Sequence, residues 1–208
     1  MMLVEITSPA GALTADDRAL LAERFRGLVL APDHAPDETM RRARAMTHLA
    51  FRETVDWYSG TGRPDPRAAP PLLVTVTVPD AWREEVARHL MAVIRTAVHQ
   101  IDASHGWERG VGDLWITAVG VPDGCIGLDG KPSTADDVLR ALTEEYRAAR
   151  EAGTAAPVPE GMLVDPVCGM LVRPGARAIT LDHDGETVGF CALGCRDSYA
   201  REHDLVLA

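Results

Sequence analysis

Positive charge is what this chain has least of. Its 21 Lys and Arg stand against 31 Asp and Glu, giving a formal net charge of −10 and a pI near 5.1. That balance argues against a nucleic-acid partner or an anionic membrane surface. Long apolar runs are missing as well, and nothing approaches the length of a membrane span. No signal peptide is read at Met1-Met2-Leu3-Val4, where Glu5 already interrupts the first strand, so the expected compartment is the reducing cytoplasm. Cysteine is scarce, with four in 208 residues. A disulfide framework is therefore not expected in that compartment.

The few cysteines are not spread evenly. Cys168, Cys191 and Cys195 fall in one C-terminal tract, the last two on Cys-x-x-x-Cys spacing. A thiolate is a soft, charged ligand, so this clustering favours Zn²⁺, Cu⁺ or another soft ion. The competing reading is a set of buried thiols, because free Cys also packs well in cores. Overall, 46% hydrophobic residues supply an ordinary core for one or two domains.

In chain order, Leu3–Thr7 alternates as a strand and ends at Pro9-Ala10-Gly11. Thr14 caps a helix whose apolar face is Leu20, Leu21, Phe25 and Leu28. A short helical stretch carries Met40 and Met46, and a second strand is read over Thr47–Tyr58. The proline-rich stretch Thr61–Pro71 reads as a linker or crossover. Leu72–Val78 is the strongest strand signal, followed by a long helix with the stripe Trp82, Val86, Leu90, Ile94 and Val98, widened by Met91 and Ile101. Leu114–Val119 is another strand. Pro122-Asp123-Gly124 with Gly127, Asp129 and Gly130 forms a glycine-rich turn, and Ser133 or Thr134 caps a helix bearing Val138, Leu142 and Tyr146.

Two β-α-β units in tandem, 2–60 and 71–149, result. Leu3–Leu13 to Trp57-Tyr58-Ser59-Gly60 forms the first. Pro71–Val76, the long helix, Trp115–Val119 and Gly124–Gly130 form the second. Over residues 2–149 this order resembles the oxalocrotonate-type tautomerase superfamily. The resemblance implies an α+β fold, a four-stranded sheet with helices on one face, assembled as a trimer. It also implies a catalytic N-terminal proline, whose amine acts as a base near neutral pH. Here Met2 stands in that place, and Pro70 and Pro71 in the second unit are internal, so their nitrogens are amides. Trp115 aligns where some members carry a substrate-binding arginine. Arg52 and Arg83 read as exposed charges, and His48, His89, His99 and His105 as structural or solvated. Cys125, a lone loop thiol, is the one nucleophile candidate in this half, and the family's catalytic machinery is expected to be lost.

Residues 150–162, small, polar and proline-bearing, read as an inter-domain linker. Beyond them, Ala178–Leu181 and Thr187–Phe190 flank Asp184-Gly185 as a hairpin. Leu193–His203 reads as a helix with Cys195 near its first turn, where the dipole favours a thiolate. The pattern Asp165-Pro166-Val167-Cys168-Gly169-Met170, His183-Asp184-Gly185, Phe190-Cys191 and Gly194-Cys195 resembles a YHS domain, close to the TRASH-type metal-binding modules, over 163–208. That resemblance implies thiolate ligands at Cys168, Cys191 and Cys195, with His183 the leading fourth ligand and Met170 a thioether alternative for Cu⁺. The bound ion is expected to be Zn²⁺ or Cu⁺.

The expected function is therefore soft or transition metal binding on a non-catalytic, homo-oligomeric scaffold, with a metal-handling protein as a further partner. The rival is a tautomerase-type isomerase acting on a small unsaturated keto acid, with the YHS module only structural.

Overall fold

The computed structural model describes residues 2–29 and 35–207. Along the chain run β1 (Met2–Pro9), α1 (Ala15–Val29), α2 (Asp37–Ala45), β2 (Thr47–Thr54) and β3 (Leu72–Pro79). A 3-10 turn (Asp80–Trp82) leads into α3 (Arg83–His105), followed by β4 (Leu114–Val121), β5 (Ile126–Leu128), β6 (Lys131–Ser133) and α4 (Ala135–Glu151). The C-terminal elements are β7 (Leu163–Val164), β8 (Leu171–Val172), β9 (Ile179–His183), β10 (Glu186–Phe190) and α5 (Leu193–Glu202). Among the described residues, no helix is long and apolar enough to cross a membrane.

Two compact units partition these elements. The first takes Met1–Ala31, Thr47–Val78 and Val86–Val121; the second takes Pro32–Met46, Pro79–Glu85 and Pro122–Ala208. The segmentation read from sequence cuts the chain elsewhere, at 149 and 163. In the structure α2 and α4 belong with the cysteine-rich tail rather than with the sheet.

The first unit is a mixed four-stranded sheet in the order β2-β1-β3-β4. β1 runs parallel to β2, from Met2 opposite Thr47, and antiparallel to β3, with Val4 opposite Val76 and Ile6 opposite Val74. The two β-α-β units thus meet at β1 and β3 in the middle of the sheet. Period-two alternation assigns the faces. Val4, Ile6, Leu72, Val74, Val76 and Val78 are buried and cluster with Leu21 and Phe25 of α1 and with Leu90, Ile94, Val98 and Ile101 of α3. Each such side chain contributes about 1.5–3 kcal/mol of transfer energy. On the opposite face Leu73, Trp115 and Val119 are 46%, 63% and 41% exposed.

Several sequence expectations change here. The second strand stops at Thr54, short of Tyr58. Met91 does not widen the α3 stripe; it is exposed. Trp82 sits in the 3-10 turn and packs in the second unit's cluster instead. The side chain of Leu28 lies outside what the structure describes.

At the end of α3, Asp102 holds Arg109 through two bonds, Nη2 to Oδ1 at 2.7 Å and Nε to Oδ2 at 2.9 Å, with both side chains buried. Arg109 also donates to the Pro70 carbonyl, fixing the entry to β3. His105 bonds Asp17 at 2.7 Å and stacks on Trp107. Burial opposes the Asp17 charge, but hydrogen bonds from His105 and Thr14 outweigh it and hold the carboxyl below its ordinary range.

In the second unit, Thr134 caps α4 through a capping box with Asp137. Arg42 of α2 bonds Glu145 of α4 at 3.1 Å and the Ala141 carbonyl at 2.9 Å, pinning the two helices together. The glycine-rich turn resolves into a β5/β6 hairpin whose tip, Asp129-Gly130, has φ of 49° and 78°. The hairpin read around Asp184-Gly185 forms as β9/β10, and those two residues also take positive φ, 53° and 81°.

Candidate metal centre

The knuckle from Asp165 to Met170 is built first by its backbone. Gly169 N–H donates to the Asp165 carbonyl at 2.8 Å, and Asp165 N–H donates to the Met170 carbonyl at 2.8 Å. This reciprocal pair closes a tight turn and points Cys168 inward. Gly169 has φ of +79°, and a Cβ there would lie 2.4 Å from Pro36 Cγ and 2.5 Å from Tyr146 Cε2. Only glycine fits. Thr39 of α2 donates its hydroxyl to the Cys168 carbonyl at 3.1 Å.

The second half of the site is the step from β10 into α5. Phe190, 1% exposed, anchors the strand end. Cys191 follows it, and Ala192 is the N-cap of α5, which makes Cys195 the third residue of the helix. The N-terminal dipole therefore favours negative charge at Cys195. Glu85 accepts from the Leu193 amide at 3.1 Å. Gly194 faces the Trp82 ring, which a Cβ would approach to 3.0 Å.

Asp165 joins the two halves. It is fully buried. Oδ1 accepts from the amides of Val167 at 2.9 Å and Cys168 at 3.3 Å, and Oδ2 accepts from the Cys191 amide at 2.9 Å. One carboxyl group therefore fixes the distance between the loop that carries Cys168 and the strand end that carries Cys191.

Three sulfurs converge on this frame. Cys168 Sγ lies 3.5 Å from Cys191 Sγ, and Cys191 Sγ lies 3.8 Å from Cys195 Sγ. These sulfurs and an Asp165 oxygen all fall within 4.8 Å of one another. Tetrahedral thiolate ligation with M–S bonds of about 2.3 Å places sulfurs about 3.8 Å apart, close to the two edges that meet at Cys191. Cys168 and Cys195 are buried, whereas Cys191 is half-buried.

The charge in this cluster is concentrated on one sulfur. Thiol donation from Cys191 and Cys195 pulls Cys168 down to about 6. The charge on Cys168 in turn pushes Cys191 up to about 12 and raises Cys195 as well, with burial adding to both. Burial raises Asp165 to about 6 against the pull of its amide bonds. A second and third thiolate need a cation between them.

His183 stands outside this group. At the end of β9 its Nδ1 bonds the Tyr199 hydroxyl at 2.8 Å, and its ring packs on His203. The structure therefore brings Cys168, Cys191 and Cys195 together and places His183 against α5. Met170 packs at the margin of the same apolar cluster. Cys125 is exposed and apart from the other three. Sequence reasoning quoted Asp165 in its pattern but gave it no role. The signal was an acidic residue three before a Cys and one before a Pro, a geometry suited to an Asx turn.

No family model and no curated protein matches this chain. Solved structures similar to it include Pt0534 inactivated by 2-oxo-3-pentynoate, at 17% identity and a TM-score of 0.45, covering 65% of this chain and 97% of that one. The F6 fused 4-OT wild-type asymmetric trimer is similar at 16% identity and a TM-score of 0.46, covering 65% and 98%. A macrophage migration inhibitory factor homologue from Prochlorococcus marinus is similar at 16% identity and a TM-score of 0.42, covering 63% and 98%.

Proposed function

We propose that this protein binds one soft or transition metal ion, Zn²⁺ or Cu⁺, through Cys168, Cys191 and Cys195 in a YHS-like module spanning 163–208. The observation that carries the proposal is the convergence of three sulfurs at 3.5 and 3.8 Å on a frame fixed by a buried carboxylate. When bound, the metal would supply a charged anchor that three thiolates hold. The protein's own residues do the rest: Asp165 spaces the loops, the α5 N-terminus favours charge on Cys195, and half-buried Cys191 gives the ion a route in and out. That route suits buffering or delivery better than a closed structural site.

The test is metal analysis of protein purified under reducing conditions, followed by transfer to a mild chelator. About one equivalent of Zn²⁺ or Cu⁺ per chain, released within minutes, is the expected result. Protein that takes up neither ion, and in which Cys191→Ser changes nothing, would refute the proposal. Retention for days would redirect it toward a structural metal.

The first unit serves, in this proposal, as a non-catalytic tautomerase-like scaffold that assembles as a homotrimer. Support comes from the outer face of the sheet, where Leu73, Trp115 and Val119 are exposed apolar side chains. Light scattering should give about three times the 22.4 kDa chain mass, and Trp115→Glu should lower it toward one chain. A mass of one chain for the wild type removes the scaffold from the proposal.

A further inference from the structure

Beside Cys191 lies a cavity of about 590 Å³, floored by Met170, Val172, Ile179 and Phe190 and edged by Arg173 and Arg177. Both arginines are exposed and carry no hydrogen bond or ion pair among the described residues. Several arginines elsewhere are ion-paired, as in Arg18–Glu53, Arg147–Glu202 and Arg201–Asp136, while these two share one loop at the cavity's edge. Two unpaired guanidinium groups on one short loop of a chain with net charge −10 mark a place suited to an anion.

For a tetrahedral ion such as Zn²⁺, the three sulfurs of the metal centre leave one position open. Asp165 Oδ1 and Oδ2 already accept three backbone amides, and His183, its Nδ1 on Tyr199, lies outside the donor group. Among the described residues, the group able to hold a metal contains three sulfurs and that one carboxyl. Of the three cysteines, half-buried Cys191 is the one among the residues that line the cavity. The coordination gap and the cationic cavity therefore share a residue.

We infer that the cavity admits a carboxylate-bearing small thiol that completes the metal's coordination with its own sulfur while its carboxylates pair with Arg173 and Arg177. The inference rests on the proposed metal centre. The thiol S–H proton passes to buffer, a metal–sulfur bond forms, and any water at that position leaves. No electron changes hands. The apolar floor accepts the aliphatic part of the ligand, and the arginines select against neutral thiols. Metal would then arrive or leave as a complex with its small-molecule carrier.

The probe is glutathione, titrated into the full chain loaded with Co²⁺, whose sulfur-to-metal charge-transfer bands report the number of thiolates. Saturable growth of those bands with glutathione is expected, and none with S-methylglutathione. An Arg173→Glu/Arg177→Glu double variant should bind Co²⁺ as the wild type does but glutathione about tenfold more weakly. Its affinity for 2-mercaptoethanol should match that of the wild type. Unchanged bands with Co²⁺ bound, or equal glutathione affinity in the double variant, would overturn the inference and leave the metal centre standing. Failure of Co²⁺ to bind overturns the inference, and the metal centre falls with it only if Zn²⁺ and Cu⁺ are also refused.

Discussion

Cys195→Ser should weaken metal binding by about a hundredfold to a thousandfold, measured by competition against a chromophoric chelator. Metal-binding energies of roughly 10–16 kcal/mol in four-ligand sites amount to about 2.5–4 kcal/mol per ligand. Serine keeps the shape of the side chain, but its hydroxyl stays protonated and offers no thiolate. The substitution also leaves the helix start intact, because Ala192 caps α5 without any side-chain bond to residue 195. The protein should therefore fold and still lose its ion. His183→Ala is the contrast: with its Nδ1 on Tyr199, His183 should contribute less than a factor of about three to affinity. Equal losses in the two variants would return His183 to the ligand set, and no loss in Cys195→Ser would remove the site.

Asp165→Ala should cost the metal-free second unit about 3 kcal/mol, read as faster amide exchange at Val167, Cys168 and Cys191 and a lower urea midpoint. Two effects compete. Truncation strands three buried amides that now donate to the carboxyl, at about 1–3 kcal/mol each. It also relieves the burial that raises this carboxyl to about 6, a cost near 3 kcal/mol at neutral pH. The three amides together exceed that relief, so the sign is destabilising. Asp165→Asn separates the terms. It removes the charge cost and keeps an oxygen for Val167 and Cys168 but sets a donor against the Cys191 amide. Its loss should be smaller than that of alanine. An alanine variant as stable as the wild type would mean that the carboxyl does not hold the loops.

Local signals in the sequence carried further than distant ones. Alternation in Leu72–Val78 marked both the strand and its buried face, because period two is written into consecutive residues. The β9/β10 hairpin was legible because Asp184-Gly185 supplies the left-handed backbone that its turn demands. Asp129-Gly130 carries the same signal, yet it was absorbed into a glycine-rich loop because its flanking strands are only three residues each. The three clustered cysteines were legible from spacing. Their fourth neighbour was not, because Asp165 reaches Cys191 across 26 residues and no periodicity records such a bond. His183 was named from the motif, and the bond of its Nδ1 to Tyr199, on another element, has no sequence signal. The grouping of α2 with the tail rests on contacts such as Thr39 with the Cys168 carbonyl, 129 residues apart.

The bare Cα of Gly169, wedged between Pro36 and Tyr146, bears on how this tail travels between proteins. Its Cys168 loop is seated on two helices drawn from earlier in the chain, with Thr39 holding the Cys168 carbonyl. A fusion that transplanted 163–208 alone would carry every sulfur and leave that seat behind. Portability therefore ends at the helices: a working graft must bring α2 and α4 with it or rebuild their surface in the new host.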